Sequence, residues 1–144
     1  MRAHAAVAAL LILPLAACGG GLSKAELVKK GDAICKRVND EVAKQQEPTN
    51  AADLAALAKK TVKISDPAID DMDALEPPDE LQKDFDKFVA SLRKQRDLTK
   101  QIGDAAAKGD TVKIQQIANE AQKAQTEYRK LAEKIGFEEC GGSN

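Results

Sequence analysis

Histidine is nearly missing from this chain: among 144 residues only His4 carries an imidazole. That residue lies in an N-terminal stretch that reads as an export signal, with Arg2 as its positive start and Ala5 to Leu15 as an apolar run too short to span a bilayer. Residues 1–17 are expected to be cleaved off, which leaves a mature chain without histidine. Haem held by an axial imidazole and di-iron bundles built on Glu-x-x-His are thereby excluded. Histidine-dependent triads go with them, and zinc loses its usual nitrogen ligand. No catalytic residue, metal ligand or cofactor is assigned from the sequence, which reads as that of a non-enzymatic protein.

Aromatic residues are also scarce. There is no tryptophan, one tyrosine (Tyr128) and three phenylalanines (Phe85, Phe88, Phe137), so the core must be thin, closely packed and modest in the stability it draws from burial. A basic excess is lacking too. Of 22 basic and 23 acidic side chains only Arg2 falls within the leading segment, and the slightly acidic remainder argues against binding nucleic acid or an anionic membrane surface. Runs of β-branched or aromatic residues at strand spacing are absent, and charged and apolar residues alternate with a helical period from Gly21 to Gly136.

The residues at the end of the leading segment are more specific. Leu15-Ala16-Ala17-Cys18 resembles the lipobox of bacterial lipoproteins. The resemblance implies cleavage before Cys18, attachment of a diacylglycerol to its thiol, and acyl chains such as palmitate holding the protein on the outer face of the cell membrane. Two or three chains exceed the single one that gives only marginal, reversible binding. The competing reading is an ordinary secretory signal that leaves Cys18 free. Residues 18–22 then form the lipidated cysteine and a short glycine linker, and residues 23–144 form one domain.

Within that domain four helices are expected. Ser23 with Glu26 matches a capping box, and Leu27, Ile34, Val38 and Val42 share a face that ends near Gln46. Asn50 with Asp53 starts a second helix, whose stripe Leu54, Leu57, Thr61, Ile64, Ala68, Met72 and Leu75 stops at Glu76-Pro77-Pro78. Pro67 interrupts this stripe without shifting its phase, which reads as a kink rather than a break. Leu81, Phe85, Phe88, Leu92 and Ile102 define a third helix ending at Lys108-Gly109. Asp110 caps a fourth, with Ile114, Ile117, Ala121, Ala124, Tyr128, Leu131 and Ile135 inward, and Gly136-Phe137 resembles a Schellman ending. Rods of roughly 23 to 29 residues joined by short turns pack antiparallel, so the predicted fold is an all-α, up-down-up-down four-helix bundle. The runner-up is a pair of long hairpins associating between chains.

With Cys18 lipidated, Cys35 and Cys140 remain as an even pair in an oxidising compartment, and a disulfide is the expectation. Cys35 lies roughly 18 Å along the first helix, and the residues from Gly136 to Cys140 can fold back about 16 Å to meet it. The C-x-x-C spacing of exchange proteins is absent, which argues against a redox role. Ile34-Cys35, Pro77-Pro78, Gly109-Asp110 and Gly136-Phe137-Glu138-Glu139-Cys140-Gly141 together resemble the small helical lipoproteins predicted in actinobacteria, over the whole mature chain. That resemblance implies a disulfide-tied bundle with no established activity, so no functional residue is carried over.

Three features stand as candidate sites. Asp66, Asp70, Asp71, Asp73, Glu76, Asp79 and Glu80 crowd the second turn, without the spacing of an EF-hand, and read as a solvated acidic turn. Arg93, Lys94, Arg96 and Lys100 lack interleaved aromatics and read as an exposed helix face. Thr61, Gln95 and Thr99 place polar groups on inward stripes, where they either satisfy backbone carbonyls or line a cavity. The leading functional expectation is a membrane-anchored, non-enzymatic helical module that presents a surface to an envelope protein or polymer. The alternative is a bundle that holds a small apolar ligand or lipid in its core. The linker puts the first helix start, the acidic turn and the tail at the membrane end, and the turns near Pro48 and Gly109 outward.

Overall fold

The computed structural model describes residues 21–141. The leading segment 1–17 and Cys18 lie outside the described residues. Four helices occur in order: α1 (Lys24–Ala43), α2 (Ala51–Asp73), α3 (Asp79–Ala107) and α4 (Thr111–Ile135). No strand occurs among the described residues.

Each boundary has a local cause. Ser23 and Glu26 form the capping box at the start of α1, with the Ser23 backbone N–H donating to the Glu26 carboxylate at 3.0 Å. The Asp53 N–H donates to the Asn50 side chain at 2.9 Å, and the Lys113 N–H to the Asp110 carboxylate at 2.9 Å. At the end of α3, Gly109 takes φ +69°, and the N–H groups of Gly109 and Asp110 close back on the carbonyls of Ala106 and Ala105. This is a complete Schellman motif. Gly136 takes φ +103°, and both its N–H and that of Phe137 donate to the Ala132 carbonyl. α2 runs unbroken through Pro67, whose side chain is exposed. α1 is shorter than its apolar face suggested, ending at Ala43 rather than near Gln46.

The helices are antiparallel neighbours in chain order. Across α2 and α3, Asp66 pairs with Arg96 while the later Asp73 pairs with the earlier Arg93. Across α3 and α4, Asp84 pairs with Lys134 and Lys94 with Glu120, again in opposite directions. Arg37 to Asp71 ties α1 to α2. These pairs are exposed on at least one side, so they mark register more than they stabilise.

The core is divided. A lower cluster joins Leu27, Met72, Phe85, Phe88, Val89, Ala132, Ile135 and Phe137, with Tyr128 stacked on Phe88 at 5.2 Å. An upper cluster holds Leu98, Ala105, Ile117 and Ala124 on α3 and α4. α1 contributes little to either: its buried residues are Leu27, Gly31 and Cys35.

The C-terminal tail covers that face of α1. Gly31 has no side chain because Phe137 occupies its place; a Cβ there would sit 2.3 Å from the phenyl ring. The Asp32 carboxylate accepts the N–H groups of Glu138 and Glu139, both at 3.0 Å. Asn39 donates to the Glu139 carbonyl at 3.1 Å. Cys35 and Cys140 are bonded, with their Cα atoms 5.0 Å apart and a sequence separation of 105.

Closing a loop of this length stabilises the folded state by about 4–5 kcal/mol in the chain-entropy account. Cys35→Ser and Cys140→Ser should each lower the unfolding free energy by a few kcal/mol in denaturant titration, and the double variant should be no worse than either single one. Additive losses would mean that the two sulfurs act separately.

Candidate functional site

The polar residues on the inward stripes come together between the two apolar clusters. Thr61 and Ser65 on α2 face Gln95 and Thr99 on α3, and each pair is spaced by four, one helical turn. Gln125 and Tyr128 of α4 close the back of this layer, and Arg96 lies at its edge. On the other side, Ile34 and Val38 of α1 stand half-buried. They point inward as the sequence predicted; Ile34 packs against the lower apolar cluster, and both border a gap. The gap is a cleft of about 260 Å³ whose wall includes Ala68, Ile69, Met72, Leu92 and the Cys35–Cys140 bridge.

The hydrogen-bonding state of this layer is incomplete. The Thr99 hydroxyl donates to the Gln95 carbonyl at 2.9 Å, as mid-helix threonines commonly do. The Gln95 Nε2 amide is buried without a partner, and so is Arg96 Nε. Arg96 Nη1 donates to Asp66 at 3.2 Å; its Nε lies 3.0 Å from the Asp97 carboxylate, out of the alignment a hydrogen bond needs. A buried donor left unmade costs about 1–3 kcal/mol, so such groups are few in native folds and point to something that meets them. Burial pushes the Tyr128 hydroxyl above its ordinary range, and the nearby negative charge of Asp32 adds to the effect. The phenol therefore stays protonated and able to donate.

The other sequence candidates resolve differently. Asp66 and Asp73 reach across to Arg96 and Arg93 of the basic run, and Asp71 to Arg37 of α1, so the acidic turn and the basic run meet in part. Among the described residues no group of three or more acidic, cysteine or histidine side chains is arranged to hold a metal ion. Lys94 pairs with Glu120 and Lys100 with Asp104. Val112 is the large apolar side chain exposed to solvent among the described residues. No helix among them is long and apolar enough to cross a membrane.

Sequence reading identified Thr61, Gln95 and Thr99 but missed Ser65, Gln125 and the wall formed by Arg96 and Tyr128. The signal was available for one of them: Ser65 comes one helical turn after Thr61, as Thr99 comes after Gln95. Tyr128 was read as core, and it is both core and wall. Searches against family models, curated proteins and solved structures return no match to this chain.

Because the folded state holds Tyr128 protonated where the unfolded chain ionises near its ordinary value of 10.0, native protein binds the extra proton above that pH. Stability is fully present below about pH 10 and falls as pH rises beyond it. Tyr128→Phe should flatten this alkaline decline in denaturant midpoints measured from pH 8 to pH 11. An unchanged slope would show that the phenol is not the group responsible.

Proposed function

We propose that the protein is a non-enzymatic binding module, tethered through Cys18 to the outer face of the cell membrane. The tether rests on the likeness of Leu15-Ala16-Ala17-Cys18 to a lipobox, and the docking of the linker supports which end of the bundle it holds. The Leu22 N–H donates to the Glu76 carbonyl at 2.8 Å, and Gly21 lies against Pro77, where a Cβ would meet the carbonyl oxygen at 2.8 Å. The chain therefore enters the bundle pinned to the α2–α3 turn. Only Gly19, Gly20 and Gly21 separate Leu22 from Cys18, a span of at most about 14 Å. An acyl anchor on Cys18 holds that end of the bundle against the bilayer. The turns around Pro48 and Gly109 then face outward, toward envelope proteins or polymers.

Binding, as opposed to catalysis, is supported by the side chains present: the mature chain has no histidine, its two remaining cysteines are joined, and the cleft offers hydrogen-bond donors with no paired acid and base. The second sequence reading, a ligand held between the helices, gains support from the break between the two apolar clusters. A bundle built only to present a surface has no need of it.

In detergent phase separation the wild-type protein should enter the detergent phase and carry the acyl mass. Cys18→Ser should stay in the aqueous phase without that mass. Equal partitioning of the two proteins would remove the tether.

A further inference from the structure

We propose that the cleft between α1, α2 and α3 is a binding site for a small uncharged amphiphile, one with a hydrogen-bond-accepting head and a short aliphatic body. The inference rests on the binding-module reading and not on the membrane tether.

Size sets the first limit. At about 260 Å³ the cleft falls below the roughly 300–1,000 Å³ of pockets that enclose drug-sized ligands, so an acylated membrane lipid is too large. The polar side of the cleft sets the second. Gln95 lines the wall with its Nε2 amide closed off behind it and without a partner, so a small turn of the side chain brings an unmet donor to the cleft, and Tyr128, protonated at its hydroxyl, lines the same wall. The unmet amide calls for an acceptor such as a carbonyl or ether oxygen. Charge sets the third. Arg96 is the one charged residue of the wall, and its guanidinium already lies against the carboxylates of Asp66 and Asp97. A carboxylate ligand would meet two like charges sharing a single cation, whereas a neutral acceptor meets no such penalty. Opposite the donors, Ile34 and Val38 offer apolar surface for a few methylenes, and Leu92 adds to it beside Gln95.

The single tyrosine makes the site observable, since no tryptophan masks its emission. The protein, as processed by the cell, is mixed with phosphatidylcholine vesicles and titrated with hexanamide, with hexanoate as the charged counterpart of the same length. Hexanamide should give a saturable change in Tyr128 fluorescence, and hexanoate should bind at least about tenfold more weakly. Gln95→Leu should weaken hexanamide by about tenfold, the fold-change of one lost hydrogen bond. Ser65→Leu, which fills the cleft from α2, should abolish the response while the helical circular dichroism is retained. A titration without saturation, binding of hexanoate as tight as that of hexanamide, or a Gln95→Leu titration equal to wild type would overturn the proposal and leave a water-filled cleft. Because the tyrosine reports the cleft whether or not the chain holds to vesicles, failure here is separate from failure of the tether.

Discussion

The clasp between the C-terminal tail and α1 is the constraint on which the rest of this bundle depends. α3 packs directly against α2 on one side and α4 on the other, but α1 buries only Leu27, Gly31 and Cys35. Gly31 and Cys35 lie against Phe137 and Cys140 of the tail. A twenty-residue helix with so narrow a buried face is marginal without tertiary support. The tail supplies that support four times over: a phenyl ring in the space Gly31 leaves open, two N–H groups on Asp32, the Asn39 bond and the disulfide. Domains of this size are stable by only about 5–15 kcal/mol in total, so a covalent link contributing several of those is a large share.

The clasp also explains why a cleft exists. It holds α1 by the face that carries Gly31, Asp32, Cys35 and Asn39, while Ile34 and Val38 on the adjoining face border a polar layer that neither apolar cluster fills. Few large side chains are available to fill it, in a chain with four aromatic residues, all placed in the lower cluster. An all-aliphatic layer at this level would pack more tightly and leave no donor buried unmade. Departures from consistent packing concentrate where folds do something besides fold. The Gln95 amide is such a departure, and it sits among other polar groups and not alone in an apolar surround.

The helices were legible because capping signals and apolar periodicity agree: Ser23 with Glu26, Asn50, Asp110, Gly109 and Gly136 each bound a helix as their chemistry requires. The disulfide was legible from parity and reach. The clasp was not legible beyond its cysteines. Gly31 inside a helix reads as a weak position, and only the placement of Phe137 gives it a reason. Asp32 reads as a solvent-facing charge until the tail amides arrive at its carboxylate. The cleft was half legible, since polar residues on an inward stripe announce themselves in sequence, but whether they pack or leave a space depends on how closely α1 tracks α2. Pairing of the acidic turn with the basic face was hidden for a related reason, because it rests on the register between α2 and α3.

The most direct test of the clasp is native-state hydrogen exchange, read residue by residue, with the Cys35–Cys140 bond intact and then reduced under conditions that keep the protein folded. If the tail holds α1 to the other three helices, reduction should bring the amides from Ile34 to Ala43 close to free exchange, while those around Val89 in α3 and Ala124 in α4 stay protected. Loss of protection in α1 only in step with α3 and α4 would contradict the account, since it would place α1 inside one cooperative unit that does not depend on the tail.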